Sequence, residues 1–182
     1  MIGAAEETRE VSRRTYGDLR ELVTLRSGSP FRKTKQSIAG ERALTAAGRQ
    51  LDIEASFRPQ SATKLGLKVL VGANGDETVV GYDTATGCLY IDRTKSGVAA
   101  GSLNGFSGVH LAPLTLRDGT LSLRILIDHS IVEVFAEDGR ARDDGSRLSS
   151  PGESNGMNVF AEGGTALLEQ ITVHQMRSIW AP

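Results

Sequence analysis

From Gly48 onward the chain alternates apolar and polar residues in short runs. Leu51, Ile53, Ala55 and Phe57 share one side of their segment, with Asp52, Glu54 and Ser56 on the other, as a half-buried strand requires. Pro59 and Ser61 end it. Leu65 to Val71 follows, closed by the turn sequence Ala73-Asn74-Gly75-Asp76. Thr78 to Tyr82 and Cys88 to Asp92 flank Asp83-Thr84-Ala85-Thr86-Gly87, in which Asp and Thr supply local hydrogen bonds and Gly tolerates positive φ. Val109 to Ala112 precedes Pro113, which suits an edge or a strand end. The clearest hairpin starts at Arg117-Asp118-Gly119-Thr120. Leu121, Leu123, Ile125 and Ile127 share a face, and Val132 and Val134 repeat it after Asp128-His129-Ser130. Met157 to Ala161, the turn Glu162-Gly163-Gly164-Thr165 and a last strand through Leu168, Ile171 and Val173 complete the series.

That makes roughly nine or ten strands separated by turns, without the helical segments of βαβ units. The pattern predicts an all-β fold, an antiparallel two-sheet β-sandwich of the jelly-roll or concanavalin-like kind. Ahead of it the pattern changes. Residues 1–15 are polar and charged, and Leu19, Leu22, Val23 and Leu25 then fall close to helical spacing before Gly28 and Pro30. Residues 1–40 are therefore read as a leader with a short helical or irregular linker, and residues 41–182 as the sandwich domain. The polar stretch Arg142 to Asn155 reads as a mobile loop.

Composition narrows the function classes. Twenty-one Lys and Arg against 22 Asp and Glu give a net charge of −1, which supplies no basic face for nucleic acid or an anionic membrane. No apolar run approaches the roughly 20 residues needed to span a bilayer. A lone cysteine, Cys88, rules out an internal disulfide and any site built on several thiolates. The first residues carry no export signal, so the expectation is a cytosolic protein if the chain is complete, or a piece of a longer, secreted precursor.

Candidate chemistry is sparse. Asp128-His129-Ser130 holds the residue types of a nucleophilic triad, but side chains adjacent on an extended segment point to opposite faces. His110, His129 and His174 sit at no ligand spacing, so no metal site is expected. The glycine-rich turns lack the Lys-Ser/Thr ending of a phosphate cradle. Asp83, Asp92, Asp128, Glu133, Asp138, Asp143 and Asp144 lie near turns, where carboxylates ordinarily cap backbone N–H groups. Glu133 differs, lying within a strand on the face opposite Val132 and Val134, either solvated or paired with a cation such as Arg93 or Arg124. Tyr82 and Tyr90 flank the Asp83–Gly87 turn as candidate sugar-stacking rings, and alternation places at least one inside.

Several stretches together resemble the C-terminal β-sandwich domain of glycoside hydrolase family 32, the family of levanases, inulinases and invertases. They are Val79-Val80-Gly81-Tyr82-Asp83, Leu89-Tyr90-Ile91-Asp92-Arg93-Thr94-Lys95-Ser96-Gly97, Leu121 to Asp128, Ser130-Ile131-Val132-Glu133-Val134-Phe135, and Phe160-Ala161-Glu162-Gly163-Gly164 through Trp180. The Asp-Arg-Thr-x-Ser-Gly and Val-Glu-Val-Phe blocks are specific in combination. The resemblance implies a sandwich packed against a five-bladed β-propeller that carries the chemistry: a nucleophilic Asp followed by Pro, an Arg-Asp-Pro motif and an acid/base Glu followed by Cys. None of these is in the chain. The five prolines follow Ser29, Arg58, Ala112, Ser150 and Ala181, and the cysteine follows Gly87. Two departures stand out: His129-Ser130-Ile131 replaces the usual Arg-Ser-Ser. Arg142 to Pro151 replaces an apolar strand, which is expected to be short, displaced or absent.

The resemblance implies a non-catalytic domain, without catalytic residues, cofactor or metal, that supports a propeller partner. Two alternatives stay open. One is a free-standing carbohydrate-binding module that takes a fructosyl unit or fructan at Tyr82, Asp83, Asp92, Arg93 and Glu133. The other is a protein-interaction module using the apolar patch that a sandwich without its partner would expose. Neither nucleic acid nor membrane is an expected partner.

Overall fold

Each alternating run forms a strand in the computed structural model of the chain, which describes residues 26–97, 108–129, 131–137, 141–146 and 154–177. The strands are β1 (Arg26–Ala43), β2 (Gln50–Arg58), β3 (Lys64–Val71), β4 (Thr78–Asp83), β5 (Cys88–Asp92), β6 (Val109–Pro113), β7 (Leu121–Asp128), β8 (Ile131–Ala136), β9 (Ala141–Ser146) and β10 (Gly156–Met176). All pairings are antiparallel, in the order β6-β5-β4-β3-β10-β2-β7-β8-β9, with β1 along the other edge of β10. No α-helix occurs among the described residues.

The long strand β10 makes this one sheet into two layers. Its first part, Gly156 to Glu162, pairs with β3, and its second, Leu167 to Gln175, pairs with β2. Between them the chain turns a corner at Gly163, whose φ is +68°. β1 follows the same corner with a register shift at Ala39/Gly40. One layer is thus β3-β4-β5-β6 and the other β2-β7-β8-β9, joined through β1 and β10.

Parity fills the space between the layers. Leu51, Ile53, Ala55 and Phe57 face inward from β2, Leu121, Leu123, Ile125 and Ile127 from β7, Val132 and Val134 from β8, and Val80, Leu89 and Ile91 from β4 and β5; all are buried in one cluster. Burying each large side chain contributes about 1.5–3 kcal/mol.

Three segments differ from the reading of the sequence. The stretch set apart as a linker contributes its residues from 26 onward to β1, whose only deeply buried apolar side chain is Ile38. Backbone pairing to β10 holds this strand, so it has no hydrophobic face to reveal it. The helical spacing over Tyr16 to Arg26 falls almost entirely outside the described residues. The segment read as a loop begins instead with β9, which pairs with β8 from Ile131↔Ser146 to Ala136↔Ala141; at six residues it is a short strand, one of the three outcomes (short, displaced or absent) expected for this stretch. Finally, the two last strands are one: the Gly163-Gly164 pair bends β10 rather than reversing it.

Candidate functional site

The β4–β5 hairpin carries Tyr82, Asp83 and Asp92, and Arg93 follows directly; parity divides them. Tyr82 faces the core at 6% exposure, and its hydroxyl donates to the Leu114 carbonyl at 3.1 Å. Burial raises the Tyr82 pKa, with Cys88, Asp83 and Glu137 pushing the same way. Asp83 faces outward, and its Oδ1 accepts the N–H groups of Ala85 (2.9 Å) and Thr86 (3.1 Å). Asp92 does the same at the hairpin's other end, accepting Thr94 N–H at 2.8 Å and Thr94 Oγ1 at 2.7 Å. Both aspartates therefore hold turns. Arg93 is buried, with Nη2 2.6 Å from His110 Nε2. Glu133 is half-buried on β8 in the other layer, between Leu126 of β7 and Asp144 of β9. The structure thus gathers four of the five candidates on one hairpin and its exit, on two different faces, and sets Glu133 in the second layer.

The choice between the two tyrosines is settled by parity: Tyr82 lies inside and Tyr90 outside. Burial, followed by the charges of Glu162, Asp92 and Asp83, holds the Tyr90 phenol far above its ordinary range. The ring lies over Gly81, and the Lys64 ammonium stands 5.8 Å from its centroid.

Asp128 and His129 form an exposed pair, His129 Nδ1 to Asp128 Oδ1 at 2.9 Å, with Ser130 outside the described residues. Among the described residues no three His, Cys, Asp or Glu side chains gather as metal ligands.

Sequence reasoning did not find the principal charged cluster. Asp52 lies on the outer face of β2, yet it is fully buried under two guanidinium groups. Arg124, two strand positions along β7, donates through Nε and Nη2 at 3.0 Å each, and Arg26 of β1 donates through Nε at 2.8 Å. Arg26 also pairs with Glu54. Burial works against the Arg26 charge, but hydrogen bonds to Asp52 and Glu54 outweigh it and raise the pKa. Strand register makes this cluster from residues far apart in sequence, with the alternation of β2 as its only visible signal.

A second cluster ties β1 and β3 to Glu77, just ahead of β4, and to Lys95, just beyond β5. Lys68 Nζ lies 2.7 Å from Glu41 and 2.9 Å from Glu77, and Lys95 lies 3.3 Å from Glu77. Burial opposes the charge on Lys68 but its two hydrogen bonds raise its pKa; against the same opposition, bonds from Lys68 and Asn158 lower that of Glu41. Carboxylates held in turns and ion pairs brace a scaffold, which is different from the two opposed and accessible acids that glycosidic cleavage uses.

Residues 21–175 match the family described as glycosyl hydrolases family 32 C terminal. The chain belongs to that family. It is 33% identical over 180 residues to a levanase of Bacillus sp. (strain L7), covering 96% of this chain and 19% of that protein. It is 32% identical over 166 residues to the levanase of Bacillus subtilis (strain 168), covering 89% of this chain and 24% of the relative. The crystal structure of exo-inulinase from Aspergillus awamori superimposes with a TM-score of 0.80 at 26% identity, over 87% of this chain and 31% of that one. The family 32 C-terminal domain described here thus spans a fifth to a quarter of the length of these levanases.

Proposed function

We propose that this sandwich is the non-catalytic supporting domain of a fructan β-fructosidase, packed against a five-bladed β-propeller that hydrolyses the fructosyl bond. One observation carries the reading. The chain matches the C-terminal family over residues 21–175, while the Asp-Pro, Arg-Asp-Pro and Glu-Cys motifs of family 32 catalysis occur nowhere in its 182 residues. A two-layer sheet in which Asp83 and Asp92 hold turns and Asp52, Glu41 and Glu77 hold ion pairs suits a structural neighbour that keeps a catalytic domain in shape.

The test is direct. Purified chain incubated with levan, inulin and sucrose should release no fructose above a buffer control. Joined to the catalytic portion of a levanase, it should raise that portion's unfolding temperature. Fructose release by the chain alone, abolished by substituting its own acids, overturns the reading.

A further inference from the structure

We propose that Lys68 and Asn158 are a site of intramolecular amide cross-linking, with Glu41 as the proton carrier between them. The two residues are direct register partners on β3 and β10. Their chain neighbours Leu67, Val69, Met157 and Val159 fill the core, so both side chains stand on the outer face of the β3–β6 layer. Side chains directly opposite on antiparallel strands start from β-carbons about 5 Å apart, within the span of a lysine arm. Glu41 comes from β1 on the other edge of β10, two positions from Ala43, which is the register partner of Asn158. One carboxylate therefore touches both groups: Oε1 accepts Asn158 Nδ2 at 2.5 Å, and Oε2 lies 2.7 Å from Lys68 Nζ.

A salt bridge alone needs no carboxamide. Here the two oxygens of a single rigid group hold an amine and the amide it would attack side by side, so that a fixed geometry replaces a collision. The step balances without a further reagent, oxidant or reductant. Glu41 first takes the ammonium proton of Lys68. The freed electron pair of Nζ attacks Cγ of Asn158 and a C–N bond forms. Glu41 passes its proton to Nδ2 as the Cγ–Nδ2 bond breaks, and then accepts the proton that Nζ sheds, which leaves with the ammonia as ammonium. A lysine ammonium and a carboxamide thus become a secondary amide and an ammonium ion.

Charge restrains the reaction at neutral pH. Lys68 Nζ also lies 2.9 Å from Glu77, which Lys95 meets at 3.3 Å. Asp92, beyond Val79 in the same row, holds its own turn. Burial works against the Lys68 ammonium, but its bonds to Glu41 and Glu77 outweigh burial and raise the pKa. The neutral amine is therefore a small fraction at neutral pH, and its share grows about tenfold with each pH unit below the lysine pKa.

The experiment incubates the whole purified chain at about pH 7 and about pH 9, with circular dichroism to follow the fold, and records intact mass and then proteolytic peptides. The chain should become lighter by one ammonia, about tenfold faster per pH unit. A branched peptide should join the segments around Lys68 and Asn158. Lys68→Arg should abolish the product, and Glu41→Gln should slow it about a hundredfold. Glu77→Gln, which removes the second counter-charge, should quicken it severalfold at neutral pH. Absence of the branched peptide from the folded chain at both pH values overturns the proposal. So does a product that forms equally fast in Glu41→Gln, or equally fast in urea, where the three groups are apart. An ammonia loss confined to Asn74-Gly75 or Asn155-Gly156, which water then converts to aspartate, is the succinimide of an Asn-Gly pair and overturns it as well.

Discussion

The ring of Tyr90 lies so close over Gly81 that a β-carbon added to the glycine would stand 2.4 Å from Cζ and 2.5 Å from the hydroxyl oxygen. The aromatic covers backbone that glycine leaves bare, and glycine is the residue that lets it do so.

Gly81→Ala should therefore destabilise the chain, although alanine in a strand ordinarily gains about 0.5–1 kcal/mol over glycine. Displacing the ring is an overpacking event of about 1–3 kcal/mol, so the clash outweighs the propensity. Urea unfolding should show a lower midpoint for Gly81→Ala and recovery of part of the loss when Tyr90→Ala is added. Strictly additive losses would mean that the ring is not what the new methyl meets.

Asp52 is fully buried between two arginine side chains that are 20% and 24% exposed. Asp52→Asn keeps the shape and removes the charge, leaving Arg26 and Arg124 side by side without their shared partner. Removing one member of a buried ion pair costs about 3–5 kcal/mol, and the partial exposure of both arginines places this site near about 3 kcal/mol. Arg26→Ala should cost clearly less, since Arg124 still satisfies both carboxylate oxygens. Denaturant unfolding of the two variants gives the order, and a larger loss for Arg26→Ala would contradict it.

The fold declares itself in sequence wherever a strand buries one face. In β2, β4, β5, β7 and β8 the alternation of residues such as Leu51, Ile53 and Phe57 marks both the strand and its inward side. β1 escapes because an edge strand with Ile38 as its single deeply buried apolar residue has no period-two signal. β9 escapes because its polar sequence is held by backbone pairing to β8. The corner in β10 reads as a turn because Gly163-Gly164 serves either purpose. Family blocks picked out the candidate residues, and parity then divided them: adjacent residues such as Tyr82 and Asp83 cannot share a face. The charged cluster was illegible, since Arg26, Asp52 and Arg124 meet only through the register of three strands.

Acid should loosen the sandwich in two stages. Burial, then the positive charge of Arg26 with a smaller part from Arg32, lowers the His174 pKa below 6.5, against the opposing carboxylates Asp52 and Glu54. As the pH falls through about 6.5 the unfolded chain takes up a proton that the folded chain does not, so stability declines from there until the folded histidine titrates. Glu41 acts at lower pH. Its folded pKa lies below 4.5, so its contribution is complete above about 4.5 and is lost as the pH drops through the folded value. Unfolding midpoints between pH 8 and pH 3, sampled at roughly unit steps, should show both declines. His174→Asn should flatten the first alone and Glu41→Gln should weaken the second alone.

The corner of β10 gives the sharpest backbone test. Gly163 and Gly40 sit at the bend of neighbouring strands with nearly equal φ of +68° and +70°, but their surroundings differ. A β-carbon at Gly40 would meet nothing within 4 Å, whereas at Gly163 it would stand 2.3 Å from Thr63 Oγ1 and 2.9 Å from Cγ2. Thr63 cannot turn away freely, because its hydroxyl donates to the Glu162 carbonyl at 3.1 Å. Gly40→Ala should therefore cost only the left-handed backbone term, about 1–2 kcal/mol. Gly163→Ala should cost that and about 1 kcal/mol more for the displaced hydrogen bond. Adding Thr63→Ala to Gly163→Ala should bring the loss back toward that of Gly40→Ala. Equal losses for the two single alanines would show that φ alone governs the corner and that Thr63 gives way without resistance.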